Sequence, residues 1–177
     1  MGEINMEEKL KDIFDNVNNW LKFAEAKNAT LIAGNGLVIF GIAKLLKDIE
    51  QYYLIYYLYF VIAVLGVSFC IALISFIPNI KLPNYLFKEN NREESNLLFF
   101  GSICKYDEAS YLKELKESLN ITDEKVLESK FNKMYAQQII INSKISMKKY
   151  HLFNLGLHIT LFAILSPILY FFFWIML

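Results

Sequence analysis

Apolar and polar positions divide this chain into three uncharged stretches separated by charged segments. Residues 52–77 and 151–177 are long runs without a charged side chain, and a shorter run covers 29–43. At about 1.5 Å per residue, a helix over either long run exceeds the roughly 30 Å of hydrocarbon in a bilayer. The pattern therefore predicts an all-α integral membrane protein with three transmembrane helices.

The charged segments are helical by their periodicity as well. Residues 5–28 carry apolar side chains at spacings of three and four, which predicts an amphipathic helix before the first span. Asp107 is a predicted N-cap within the segment 78–150. From Thr122 an apolar stripe continues without a stop signal into the last uncharged run, which predicts one long continuous rod. Pro167 is expected to free a backbone carbonyl of this rod inside the bilayer.

Lysines near the predicted spans give the topology, because cytoplasmic flanks carry the excess of Lys and Arg. Six lysines flank the spans on the side of the N-terminus and the long loop, against Lys44 and Lys47 on the other side. The N-terminus is therefore expected in the cytoplasm and the C-terminus beyond the membrane. The resulting segments are a cytoplasmic amphipathic helix (1–28), a transmembrane hairpin (29–77), a cytoplasmic helical segment (78–150) and a C-terminal transmembrane helix (151–177).

Composition argues against several functions. The 18 basic and 18 acidic side chains balance, so there is no general basic field for nucleic acid. Cys70 and Cys104 are too few for a disulfide framework, and His151 and His158 have no third metal ligand in view. No phosphate-binding loop, zinc-protease motif or nucleophile elbow occurs. We therefore expect neither an enzyme nor a bound metal or cofactor.

Polar side chains occur inside the predicted spans, where they are costly and often functional. Asn35 lies in the middle of the first span, and the last span carries His151, Asn154 and His158 on one face. These four residues form a predicted polar stripe. Hydrogen bonding to neighbouring helices is one interpretation, and a pore-lining or gating role is the other.

A second polar group lies where the long rod approaches the membrane. Gln138, Ser143, Lys149 and Tyr150 offer amide, hydroxyl, ammonium and ring groups. Such groups hold a phosphate and stack a base. A solvated helix whose lysines attract anionic lipid headgroups is the alternative.

Three patches of sequence, in this order, resemble a known family. They are Trp20-Leu-Lys-Phe-Ala-Glu-Ala-Lys-Asn-Ala29 before the first span, Phe99-Phe-Gly-Ser-Ile103 in the cytoplasmic segment, and Gln138-Ile-Ile-Ile-Asn-Ser-Lys-Ile-Ser-Met-Lys-Lys-Tyr150 before the last span. The order and spacing are similar to the transmembrane effector family of Pycsar antiphage systems. One departure is Glu25, where that family more often has Asp, and the carboxylate is kept.

The resemblance implies a multi-pass protein of the bacterial inner membrane that contacts membrane lipid and is encoded beside a cognate pyrimidine cyclase. It implies activation by cyclic CMP or cyclic UMP during phage infection, followed by loss of membrane integrity and abortive infection. Three spans of one small chain do not enclose a pore, so we expect a homo-oligomer.

A cyclic mononucleotide needs a cation for its phosphate, a polar group for its base edge and an apolar or aromatic wall. On this basis the expected ligand-binding residues are Lys27, Gln138, Ser143, Lys149, Tyr150, Phe99 and Phe100. One rival is a SLATT-like nucleotide-signalled effector, against which the third span argues. Another is a ligand-free membrane anchor or scaffold that docks a partner through 123–150.

Overall fold

The computed structural model of the chain describes residues 5–77 and 96–176, and the side chains of the last helix as far as Pro167. Every regular element within these ranges is helical, which confirms the all-α prediction. The helices are α1 (Met6–Leu45), α2 (Tyr52–Ile74), α3 (Phe100–Ile103), α4 (Glu108–Ser118), α5 (Lys125–Glu128) and α6 (Lys130–Met176).

Helix α1 joins the predicted amphipathic helix and the first uncharged stretch into one helix of 40 residues. Its N-terminus is capped by the Asn5 side-chain oxygen, which accepts a hydrogen bond from the backbone N–H of Glu7 at 3.0 Å. Glutamates in the first turn and Lys44 in the last turn suit the helix dipole. Because no proline or glycine cap intervenes near residue 28, the helix passes directly from its charged to its uncharged part.

Helices α1 and α2 are both long and apolar enough to cross a membrane, by length and composition. The 23 residues of α2 cover about 35 Å, more than the hydrocarbon thickness. Tyr52, Tyr53 and Tyr56 are exposed at its start, as expected of rings in a membrane interface. The third span, over 151–177, stays a prediction, because its last ten side chains lie outside the description.

Internal contacts divide the chain into two units, residues 1–24 with 79–148, and residues 25–78 with 149–177. In the first unit, buried side chains of α1 recur at spacings of four and three and pack against α4 and α6. Tyr111 is fully buried there, and its hydroxyl donates to the carbonyl oxygen of Leu97 at 3.0 Å. The core of this unit consists of Met6, Leu10, Ile13, Val17, Ile103, Tyr111, Leu112, Leu115, Ala136, Ile139 and Ile140.

The predicted cap at Asp107 is confirmed. Its carboxylate accepts a hydrogen bond from the backbone N–H of Ser110 at 3.0 Å and starts α4. Hydrogen bonds from the Ser110 side chain and backbone hold the pKa of Asp107 below its usual value. Asn120 follows the helix with a φ of 54°, a left-handed conformation that ends it.

The predicted rod is wrong at its beginning. Ser129 has a ψ of 117°, outside the helical region, so the short helix α5 is separated from α6. The Ser129 hydroxyl oxygen accepts a hydrogen bond from the backbone N–H of Asn132 and caps α6, and the Asp123 carboxylate accepts one from the backbone N–H of Lys125 beside the start of α5. From Lys130 the helix then continues for 47 residues, which confirms a long continuous rod.

Pro167 lies inside α6, where it cannot donate to the carbonyl of Ala163. The hydroxyl of Ser166 donates to that carbonyl at 2.8 Å and lies 2.6 Å from the hydroxyl of Tyr57 on α2. The carbonyl freed by Pro167 therefore finds a donor in the preceding residue, which also contacts a neighbouring helix.

Candidate functional site

A buried lysine joins three helices of the second unit. The Lys149 ammonium on α6 lies 3.2 Å from a carboxylate oxygen of Glu25 on α1 and donates to the carbonyl oxygen of Ser75, just after α2, at 2.9 Å. The same ammonium lies 5.1 Å from the centre of the Phe76 ring. We call these four residues the Lys149 cluster. Its lysine has an ion pair and a carbonyl acceptor, as a nearly buried cation requires.

The register of α1 brings this cluster together. Asn28, Leu31 and Asn35 are buried at spacings of three and four, so one face of α1 is turned inward. The Asn28 side chain donates to the carbonyl oxygen of Lys149 at 3.1 Å. Glu25 lies one turn before Asn28 on the same side, and it therefore reaches the lysine of the same segment of α6.

Lys27 lies beside aromatic rings of α6. Its ammonium is 5.3 Å from the ring centres of both Tyr150 and Phe153. At such distances a cation is attracted by the ring faces. The structure thus brings together Lys27, Lys149 and Tyr150 of the predicted ligand-binding residues, and it adds Glu25, Ser75 and Phe76 to their surroundings.

A closed set of hydrogen bonds lies deeper in the second unit. The Asn35 amide donates to the Ser68 hydroxyl oxygen at 2.9 Å, and the Thr160 hydroxyl donates to the Asn35 side-chain oxygen at 3.0 Å. The hydroxyls of Ser68 and Thr160 are 2.8 Å apart, which closes a ring across three helices. The carbonyl oxygen of Gly156, 2.7 Å from the Ser68 hydroxyl, is the alternative acceptor for its single proton. Asn35 is therefore an interhelical hydrogen-bonding residue, one of the two predicted roles.

Gly156 lets the helices approach closely at this ring. A Cβ atom there would lie 2.9 Å from Leu31 Cδ2 and 3.3 Å from the Ser68 hydroxyl. A small residue at a close helix contact is typical of membrane bundles. Sequence reasoning missed Ser68, Gly156 and Thr160. The available signal was the presence of small residues, two of them with hydroxyl groups, in otherwise apolar helices.

The other three residues of the predicted polar stripe do not join Asn35. His151, Asn154 and His158 are exposed on the surface of the second unit, whereas Asn35 is 1% exposed. Nδ1 of His158 contacts the carbonyl oxygen of Asn154, one turn earlier in its own helix. The stripe is therefore two features, a buried ring and an exposed histidine and asparagine face.

Phe99 and Phe100 lie in the first unit, in an aromatic cluster. Their ring centres are 4.7 Å apart, and Trp20 of α1 lies 5.6 Å from Phe100. A Cβ atom on Gly101 would lie 2.5 Å from the Phe99 ring, so only glycine fits beside it in this arrangement. Ring packing thus gives a structural reason for the Phe-Phe-Gly segment, and the ligand contact of Phe99 and Phe100 stays a prediction.

Two further predicted ligand residues belong to the first unit. Gln138 is exposed, whereas Ser143 is fully buried and its hydroxyl has no hydrogen-bond partner among the described residues. The hydroxyl of the nearby Ser146 is also buried and without a hydrogen-bond partner among the described residues. A buried hydroxyl without a partner is unusual and leaves room for a polar contact.

A cavity that sequence reasoning missed also lies in the first unit. Its volume is about 320 Å³, and Lys9, Asp12 and Asn16 line it together with leucines. The Lys9 ammonium and the Asp12 carboxylate are 3.7 Å apart, and the Asn16 amide donates to the carbonyl oxygen of Leu98 at 3.2 Å. The spacing of these three polar residues, three and four along α1, was the signal in the sequence.

Comparison with known families shows which family the chain belongs to. A sequence model of the Pycsar effector protein domain matches residues 9–176 of the 177 residues. The chain belongs to this family. No curated protein and no solved structure matches it.

In this Pycsar effector, the first of the three sequence patches described above contacts the other two. Trp20 contacts Phe100 in the first unit. In the second unit, Glu25 pairs with Lys149 and Lys27 lies over Tyr150. Residues of the first patch therefore contact the other two patches, each within its own unit.

Proposed function

We propose that this protein is a non-catalytic antiphage effector of the inner membrane that is switched on by cyclic CMP or cyclic UMP. The observation that carries the proposal is the match of the Pycsar effector domain to nearly the whole chain. On activation the protein, as an oligomer, impairs membrane integrity and stops growth before the phage completes its cycle.

Two features of the fold support this assignment. Helices α1 and α2 are candidate membrane spans, and the first unit has a packed core of its own. A cytoplasmic nucleotide requires a water-facing sensor, and membrane damage requires apolar helices. We place the N-terminus and the first unit in the cytoplasm, from the lysine distribution.

For the phosphate of the nucleotide we propose the Lys149 cluster together with Lys27. Two lysines and a tyrosine ring lie within this part of the second unit. Lys149 is already paired with Glu25, whose side chain is 46% exposed. An incoming phosphate carries one negative charge, like this carboxylate, and so replaces it without leaving the buried lysine unpaired.

This exchange supplies a route from ligand to membrane. Glu25 belongs to α1 and Lys149 to α6, and both helices continue into the uncharged stretches. Replacing Glu25 by a phosphate removes the ion pair between the two helices at that level. The ligand then favours the arrangement of helices in which the pair is broken.

Calorimetry with cyclic CMP and cyclic UMP on detergent-purified protein tests the proposal. Lys149→Ala should weaken binding about ten- to a hundredfold, the usual effect of losing a charge-assisted contact. Glu25→Gln should strengthen binding about 1.4- to fivefold, since it removes a competitor worth roughly 0.2–1 kcal/mol. Lys22→Ala is the matched control and should bind like the wild type, because Lys22 is an exposed lysine of α1, the helix that carries Glu25.

The opposite directions of the two variants separate a ligand site from a structural ion pair. If Glu25→Gln and Lys149→Ala lose binding alike, the pair only supports the fold. If Lys149→Ala binds like the wild type, the phosphate site lies elsewhere, with the cavity beside Lys9 as the next position to test. Absence of binding by the wild type would leave the ligand-free scaffold as the better account.

A further inference from the structure

Helix α6 has two distinct faces in the second unit. Lys149, Gly156, Thr160 and Ala163 are buried and point toward α1 and α2. At 100° per residue these positions lie within about 60° of one another on the helix. The opposite face is exposed and carries His151, Asn154, His158, Leu161 and Leu165, which we call the α6 seam.

The spacing of the α6 seam is that of a helix interface. Its five positions are separated by three, four, three and four residues, which is the a and d pattern of a heptad. A face with this period stays turned toward a partner helix when two helices wrap around each other. Among the described residues of the second unit, no helix lies on this face.

The polar members of the seam are out of place if lipid covers them. Asn35, Ser68 and Thr160 show how the same unit treats polar groups, since all three are buried and hydrogen bonded to one another. Asn154 has no side-chain hydrogen bond within the described part of the chain. Amide and imidazole groups inside a membrane normally face protein or a water-filled cavity.

We infer that the α6 seam is the interface between copies of this chain, which pack with their α6 helices parallel. The inference rests on the proposed placement of α6 in the membrane. Copies inserted with the same topology present the same residue at the same depth. Asn154 therefore meets Asn154, and a side chain with both a donor and an acceptor pairs with itself across the symmetry axis.

A second copy fits this face better than another protein or lipid does. The Asn154 amide both donates and accepts, so two identical faces are complementary at this position without any further chemistry. Parallel helices use a single asparagine at a heptad position to fix their register. Leu161 and Leu165 continue the same line and provide apolar contacts beyond the polar positions.

Disulfide cross-linking in membranes tests the inference. In a Cys70→Ala background, Leu161→Cys places one thiol on the seam and Ile164→Cys places one on another exposed side of α6. The two positions are matched, with 45% and 47% exposure. Cys104 is kept, because it is buried and cannot reach a second copy. Leu165→Cys serves as a second seam position.

Without any nucleotide, the seam variants should give about tenfold more disulfide-linked dimer than Ile164→Cys, since a disulfide needs Cα atoms within roughly 7 Å. Equal cross-linking at 161 and 164, or no dimer at either seam position, overturns the inference. The nucleotide-free readout keeps this result separate from the proposed function: dimers in a protein that binds no nucleotide support the seam and reject the ligand.

Discussion

Replacing Ser68 by alanine should loosen the helix packing of the second unit. The change removes one hydroxyl, and with it the acceptor of the Asn35 amide at 2.9 Å and the contacts to Thr160 and the Gly156 carbonyl. Asn35 is 1% exposed, so water cannot replace the lost partner. The Asn35 amide is then buried without an acceptor, and this accounts for most of the expected loss in the free energy of unfolding.

The size of the effect follows from the bonds lost. Interhelical hydrogen bonds in membranes average about 0.6 kcal/mol and reach about 1.7. Ser68 accepts one bond and has one proton to donate, so two such bonds are lost. We therefore expect Ser68→Ala to lower the free energy of unfolding by about 1–3.5 kcal/mol, toward the upper end where no other group can turn to the Asn35 amide.

The assay is unfolding in mixed micelles by titration with a denaturing detergent, followed by circular dichroism. Ser75→Ala is the matched control, because its buried hydroxyl bonds only to the carbonyl of Ala72 in its own helix, at 2.7 Å. Ser75→Ala should lower the free energy of unfolding by less than about 0.5 kcal/mol. Equal losses in the two variants would refute the idea that the ring joins the helices.

Two further predictions concern topology and the first unit. Reporter fusions at the C-terminus should show active phosphatase and a dark cytoplasmic fluorophore, and the opposite pattern would reject three spans with a cytoplasmic N-terminus. Asp107→Ala should speed amide hydrogen exchange in α4 several-fold at pH 7, because an N-cap contributes about 0.5–2 kcal/mol. Since the folded pKa of Asp107 is lowered, its contribution is lost as pH falls through that value, so the difference from wild type should shrink in acid. An unchanged difference at low pH would argue against a carboxylate cap.

Much of the fold could be predicted from period and capping. The helical repeat of apolar positions gives α1, α2 and most of α6, and Asp107 gives the start of α4. The break at Ser129 could not be predicted in this way, because the apolar stripe continues across it. There, the Ser129 hydroxyl accepts a hydrogen bond from the backbone N–H of Asn132, and this local bond marks where α6 begins.

The site was predictable by residue type rather than by partner. Lysines and a tyrosine near residue 150 are visible in the sequence, but the pairing of Lys149 with Glu25 needs the relative register of α1 and α6. The partners of Asn35 depend on register in the same way, because the sequence locates Asn35 in a span but does not show which helix it faces. The separation of Asn35 from His151, Asn154 and His158 is a result of that register.

Dye release from reconstituted vesicles is the most direct test of the central claim. The purified protein in phosphatidylethanolamine and phosphatidylglycerol vesicles should release an entrapped fluorophore when cyclic CMP or cyclic UMP is added, and not when cyclic AMP is added. Lys149→Ala should shift the response to a higher nucleotide concentration. Vesicles that stay sealed with every cyclic nucleotide, or leak equally without one, would contradict a nucleotide-gated membrane effector.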